Sequence, residues 1–329
     1  MATTPDRLEL ARLPTPVRRA SVLSAQLHTE LLIKRDDLTG AALSGNKVRK
    51  LEYLLAEARA QACDTLVTCG GEQSNHCRAT AVAAAQLGLR SVLLLRTADP
   101  TRPPPLQGNS LLDHLVGAGV RWVSPDEYKE RARLFEAMRY DMAAAGHRPY
   151  FIPEGGSNAL GAWGYIRCVE ELAAQLGREP VTLVCATGSG GTLAGLVLGI
   201  KLLELPWRAV GINVCDDRAY FVRAVGAIID DAVERFHLSV SFDRAELEIC
   251  DGYVGTGYAQ SRPEELRVLR DVARAEGLLL DPVYTGKAYG GLVAELQRDP
   301  NRWGGRVCFI HTGGIYGLFS KAAELSAVL

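Results

Sequence analysis

The chain of 329 residues has no excess of either charge: Lys and Arg number 37 against 38 Asp and Glu, a formal net charge of −1. Without a basic or acidic field, neither nucleic acid nor an anionic membrane is expected as a partner. Long apolar runs are also missing, since every such stretch is strand-length and broken before it could span a bilayer. Met1-Ala-Thr-Thr-Pro-Asp6 carries no apolar signal core, so a cytoplasmic location is the expectation. The cysteines at 63, 69, 77, 168, 185, 215, 250 and 308 contain no Cys-x-x-Cys. That excludes the spacing of a zinc site or a redox dithiol, and no metal is expected. Several interrupt apolar runs and read as small core residues. There is no internal repeat and no low-complexity tract.

What the chain does have is a rhythm of short apolar runs alternating with longer amphipathic stretches. The runs are Leu31–Ile33, Thr65–Cys69, Ser91–Leu95, Val120–Val123, Tyr150–Ile152, Val181–Cys185, Val210–Val214, Leu278–Leu280 and Val307–Ile310. Between them, Val48–Gln61, His76–Leu87 and Pro263–Glu276 place apolar residues at helical spacing. This pattern predicts an α/β protein of βαβ units with mostly parallel sheets and ligands at the carboxyl ends of strands. The length fits about two domains. Thr97–Asn109, rich in proline, is expected to be an irregular surface loop.

The sharpest local feature is Thr187-Gly-Ser-Gly-Gly-Thr192, which follows the run 181–185 and precedes the helix-like run Leu193–Leu203. Glycines let backbone N–H groups turn inward, hydroxyls add donors, and the following helix offers its positive end to an anion. A Walker A loop would need Gly-Lys-Ser/Thr, and no lysine is present; a dinucleotide fingerprint would need glycine where Leu193 stands. A phosphate on some other ligand fits the loop better. A plain tight turn is the alternative for the glycines alone.

Two further segments carry polar residues at strand ends. Lys47, in Ser44-Gly-Asn-Lys-Val-Arg-Lys50, falls at a helix start, where the dipole disfavours a cation. Repulsion from Arg49 and Lys50 would lower its pKa and make it a better carbonyl nucleophile. Taken alone, an ordinary solvated lysine is the simpler reading. In Gly70-Gly-Glu-Gln-Ser-Asn-His76, Ser74 and Asn75 fall at a helix N-cap that could hold a carboxylate, although capping alone accounts for one of them. His76 reads more simply as a structural hydrogen-bonder than as an acid or base.

These segments, with Asp281-Pro-Val-Tyr-Thr-Gly-Lys287 and His311-Thr-Gly-Gly314, occur in the order seen in the pyridoxal-phosphate enzymes related to D-cysteine desulfhydrase and 1-aminocyclopropane-1-carboxylate deaminase. The chain resembles that family from about Leu13 to its C-terminus. The resemblance implies fold type II, similar to the tryptophan synthase β chain. It implies a large domain of residues 1–50 and 158–329, a small domain of 51–157, and an active site in the cleft between them. It also implies pyridoxal 5′-phosphate as cofactor, a small amino acid as substrate, and a homodimer.

Residue by residue, Lys47 resembles the Schiff-base lysine. Thr187, Gly188, Ser189, Gly190, Gly191 and Thr192 resemble the phosphate cup. Asn75 resembles the residue beside the pyridine 3′-oxygen, and Thr312 a further cofactor contact. Ser74 resembles the serine near the substrate carboxylate and the lysine, while Gln73, Asn75 and Thr285 would also face substrate. Tyr258 and Tyr284 match the two active-site tyrosines. The deaminases carry glutamate directly after the second tyrosine and leucine before the later Gly-Gly, where this chain has Thr285 and Thr312. Both differences point to the desulfhydrase branch, because a hydroxyl near the pyridine nitrogen leaves the ring largely neutral, which suffices for β-elimination. Lys47, alone or with Ser74, would then remove the α-proton. Glu72, Ile315 and Tyr316 depart from the family pattern and are expected to reshape the substrate pocket. D-Serine, β-chloro-D-alanine, L-cysteate and 2,3-diaminopropionate are related substrates, and a non-catalytic cofactor or amino-acid binder is the reading from another class.

Overall fold

A computed structural model describes residues 3–329. Among the described residues ten strands form two sheets: β1 (Val17–Arg19), β2 (Glu30–Lys34), β7 (Thr182–Thr187), β8 (Arg208–Asn213), β9 (Glu248–Cys250) and β10 (Arg306–Ile310) in one, with β3 (Thr65–Gly71), β4 (Arg90–Arg96), β5 (Gly119–Val123) and β6 (Pro149–Phe151) in the other. The strand orders are β1-β2-β10-β7-β8-β9 and β5-β4-β3-β6. Every pairing is parallel except β1 with β2. The fold is the α/β, mostly parallel one that the alternating pattern predicts.

Parallel sheets are covered on both faces, so their central strands need not alternate apolar with polar residues. β3 is buried at all seven positions, and Leu183, Val184 and Cys185 of β7 are fully buried. Burying an aliphatic side chain of this size stabilises by about 1.5–3 kcal/mol. The helix Gly191–Leu202 is apolar nearly all round because it lies between β7 and the helix Ala159–Leu176. A Cβ at Gly195 would sit 2.4 Å from the Ala162 carbonyl oxygen, so glycine sets how closely the two helices approach.

Two expectations need correction, and two strands were not expected. Leu278–Leu280 forms no strand: Leu278 and Leu280 are buried while Leu279 is 49% exposed, and no neighbouring strand pairs with the segment. β1 and β9, three residues each, were not legible because Val-Arg-Arg and Glu-Ile-Cys carry no continuous apolar run. The surface loop ends at Gln107, because Gly108–Leu115 is a helix. Asn109 is fully buried within it.

No helix is long and apolar enough to cross a membrane among the described residues. The carboxyl ends of β7, β8 and β10 and those of β3, β4 and β6 open onto one cleft of about 1140 Å³ between the two sheets.

Candidate active site

The cleft brings together Lys47, Ser74, Asn75, Thr187, Gly188, Ser189, Gly190, Thr192, Tyr258, Tyr284 and Thr312. Lys47 is the second residue of the helix Asn46–Ala60. That helix is fixed at its start by Gly45, whose φ is 91° and whose added Cβ would lie 2.8 Å from the Thr312 oxygen. The Asn46 N–H donates to the same oxygen at 3.0 Å. Only glycine lets the loop after β10 pass this close to the helix start.

Lys47 is partly buried, and its Nζ donates to the Gly155 carbonyl at 3.3 Å. Burial pushes its amine down to about 8, against an opposing pull from Glu154. Lys50, one helical turn on, donates to the same Gly155 oxygen at 3.3 Å and to Ser157 Oγ at 3.2 Å. Burial, and then the charge of Lys47, push Lys50 well below the usual lysine range. Ser157 Oγ lies 2.8 Å from Ser189 Oγ and accepts from the Gly191 N–H at 3.3 Å. Ser157, which lines the cleft, and Lys50 bonded to it therefore sit against the glycine loop. Sequence reading treated Lys50 only as a repelling neighbour and missed Ser157, since nothing local links positions 50, 157 and 189.

Within the loop, the Thr187 hydroxyl is buried without a hydrogen-bond partner among the described residues. Thr192 Oγ1 accepts from Asn46 Nδ2 at 3.2 Å. Gly191 opens the helix 191–202 but does not line the cleft, its N–H being turned to Ser157.

On the opposite wall, Ser74 caps the helix Asn75–Gln86 by accepting from the Cys77 N–H at 3.2 Å. Asn75 Oδ1 accepts from Asn109 Nδ2 at 3.0 Å. Gln73 does not line the cleft: its Oε1 accepts from the Asn109 N–H, and its Nε2 donates to the Gln107 carbonyl, both at 3.0 Å. It tethers the end of the proline-rich loop, whose burial could not be read from the sequence. His76 bonds Thr68 Oγ1 at 2.8 Å, and burial, then Lys47 and Lys50, push it well below the usual histidine range. It lines the cleft as a neutral, structural group.

Tyr258 and Tyr284 meet through their hydroxyls at 2.7 Å. Burial pushes both phenols up, so they stand in the cleft as neutral donors. The loop carrying Tyr258 is held by Lys287, whose Nζ donates to the carbonyls of Val254 at 2.6 Å and Gly257 at 2.7 Å.

Thr285 is fully buried off the cleft. Its Oγ1 donates to Asp281 Oδ1 at 2.7 Å, and the other Asp281 oxygen accepts from the N–H groups of Val283 and Tyr284. Of the departures from the family pattern, Glu72 accepts from Thr97 Oγ1 at 3.3 Å, and Tyr316 covers Arg78 with its ring. Neither they nor Ile315 line the cleft.

The residues present fit pyridoxal 5′-phosphate. The glycine loop, the helix start behind it, the unpartnered Thr187 hydroxyl and Lys50 suit a phosphate dianion. On the same side of the cleft, Lys47 supplies an amine of lowered pKa for an aldehyde.

The sequence profile described as "Pyridoxal-phosphate dependent enzyme" matches residues 8–313. The chain is 44% identical over 330 residues to the bifunctional D-cysteine desulfhydrase/1-aminocyclopropane-1-carboxylate deaminase, mitochondrial, of Arabidopsis thaliana, covering 97% of this chain and 81% of that one. It is 39% identical to a D-cysteine desulfhydrase of Klebsiella pneumoniae (strain 342), covering 97% of each. Among solved structures, an ACC deaminase homologue superposes with a TM-score of 0.91 at 37% identity, over 99% of this chain and 97% of the other.

Proposed function

The chain belongs to the family of pyridoxal-phosphate dependent enzymes, and from that premise we propose that it is a β-eliminating lyase converting D-cysteine and water into pyruvate, hydrogen sulfide and ammonia. The observation that carries this reading is the Lys47 amine, lowered to about 8 in a cleft lined on the same side by a glycine loop suited to an anion. The hydrogen-bonded closure of Thr285 on Asp281 supports the branch. That position presents no carboxylate to the cleft, and the oxygens of Asp281 are already engaged with Val283, Tyr284 and Thr285.

When bound, the cofactor holds the substrate nitrogen and takes up electrons released at Cα. The chain's own residues do the rest. The loop 187–192 with Lys50 binds the phosphate, and Ser74 and Asn75 at the start of helix 75–86 orient the substrate carboxylate. Lys47 Nζ accepts the Cα proton, that electron pair becomes the second Cα–Cβ bond, and the Cβ–S pair leaves on sulfur. Tyr258 and Tyr284 offer a phenolic proton to the departing group. Residues 51–157 are proposed as a small domain closing on 1–50 and 158–329, in a cytoplasmic homodimer.

Holoenzyme given D-cysteine should release sulfide and pyruvate in equal amounts, with L-cysteine and 1-aminocyclopropane-1-carboxylate in parallel assays. Release of 2-oxobutyrate from the cyclopropane at a rival rate would move the chain to the deaminase branch, a reading that the name of the Arabidopsis relative also supports.

A pH dependence follows from Lys47. Its amine is cationic below about 8 and neutral above it, and only the neutral form attacks a carbonyl. Attachment of pyridoxal 5′-phosphate to apoprotein, fixed with borohydride and read on Lys47 by mass spectrometry, should accelerate about fivefold from pH 7 to 8 and under about twofold from pH 8 to 9. A rate flat across this range would remove the lowered amine from the account.

A further inference from the structure

The cleft extends well past the groups assigned above, to a rim formed by Arg96, Tyr128, Lys129, Arg131 and Tyr220. Three of these are cations, and two have carboxylate partners. Lys129 pairs with Asp126 at 2.8 Å and Arg131 with Glu154 at 3.6 Å. Arg96 has none: among the described residues no carboxylate lies within 4.0 Å of it and its guanidinium makes no hydrogen bond. It is the last residue of β4, so it points from a strand's carboxyl end, the position at which such sheets bind ligands. Its guanidinium carbon stands 4.9 Å from the Tyr128 ring centre and 5.2 Å from that of Tyr258. Held between two aromatic faces, it keeps a fixed direction with all its N–H donors free.

A guanidinium in this setting is matched to an anion, and the other anion-binding points of the cleft have their own ligands. The loop 187–192 suits the phosphate, and the start of helix 75–86 suits the substrate carboxylate. Arg96 stands instead against Tyr258, whose hydroxyl pairs with that of Tyr284. We propose that Arg96 is the binding site for an anionic β-substituent of the substrate, and that it selects amino acids whose side chain carries negative charge on or next to Cβ. This inference rests on the lyase reading only in placing Cβ beside the tyrosine pair. For a cysteine substrate, it means that Arg96 favours the thiolate and faces the sulfur as the Cβ–S electron pair departs.

Aspartate and alanine test it, because they differ by an anionic β-carboxylate that cannot leave. Their dissociation constants are measured on the holoenzyme from the change in cofactor absorbance, using both enantiomers of each. In the native enzyme, aspartate of the productive hand should bind at least about tenfold more tightly than alanine, the range expected of a charge-assisted hydrogen bond. Arg96→Gln should bring the ratio near one with alanine binding unchanged, and Arg96→Lys should retain part of it. A native ratio near one overturns the proposal without need of any variant. Equal weakening of alanine and aspartate in Arg96→Gln also overturns it, since Arg96 would then hold the α-carboxylate. The two readings fail separately: aspartate selectivity lost in Arg96→Gln without sulfide from D-cysteine keeps Arg96 and sinks the desulfhydrase, whereas turnover of D-cysteine with the ratio unchanged in Arg96→Gln sinks Arg96 alone.

Discussion

Lys47→Ala should lower kcat for D-cysteine by at least about 10³-fold, because in the proposed reaction one amine both holds the cofactor's carbonyl carbon and receives the Cα proton. The fold should survive, since among the described residues the only side-chain hydrogen bond lost is the 3.3 Å contact to the Gly155 carbonyl. Phosphate recognition should survive too, because the loop 187–192, Ser157 and Lys50 are intact. The variant should therefore bind pyridoxal 5′-phosphate without becoming attached to it. Three measurements decide this: mass after borohydride, equilibrium dialysis of the cofactor, and single-turnover sulfide release. Lys50→Met provides the contrast, with attachment chemistry retained and dialysis affinity reduced. Turnover in Lys47→Ala within tenfold of native would sink the assignment of the reacting amine.

The second large effect lies on the hidden face of the same helix. Arg49 is fully buried, and its guanidinium makes a two-pronged contact with Asp36, Nε to Oδ2 at 2.9 Å and Nη2 to Oδ1 at 2.8 Å. Its Nη1 reaches Glu171 at 3.0 Å, and Glu171 also pairs with Lys34. The Tyr165 hydroxyl donates to Asp36 at 2.6 Å and that of Thr15 at 2.8 Å. Burial pushes the Asp36 carboxyl up, but Arg49, Lys34 and Tyr165 outweigh it and hold Asp36 below the usual carboxylate range. Asp36→Ala leaves the guanidinium short of its main partner in a dry site and should cost about 3–5 kcal/mol. For a chain of this size that is a fall in Tm of roughly 5–10 °C.

The sign of the pH effect follows from the lowered carboxyl. Its stabilisation is present above the unfolded carboxylate pKa and is lost as pH falls through the lower folded value. Native protein should thus lose stability in that acid window and Asp36→Ala much less so. Urea titrations at neutral and acid pH would compare the two, and a variant as stable as native at neutral pH would contradict the account.

How much of this was legible in the sequence depends on how far apart the partners are. Thr187 to Thr192 lie side by side, so the loop could be read from its letters as suited to an anion, whereas Lys47 at a helix start reads alone as a solvated lysine and is singled out only by the resemblance of the motifs together. Asp36, Arg49 and Glu171 could not be joined by inspection, because a buried network closes only when β2, the helix 46–60 and the helix 159–176 are packed. Gln73 and Thr285 stand inside legible motifs, yet their side chains turn away from the cleft. A motif states which residues travel together and leaves open which way each one points. Gln73 is drawn to Asn109, whose burial depends on a helix that the preceding prolines concealed.

The tether at Asn109 bears on how this scaffold could be altered. The proline-rich stretch leaves the sheet after Arg96 and is caught again by Gln73 at Gln107 and Asn109. With both ends moored, the span between them works like a cable between posts: doubling the length of such a loop adds only about 0.6 kcal/mol of closure entropy. New recognition loops could be grafted there beside the rim cations while the Ser74 and Asn75 wall of the cleft stays in place.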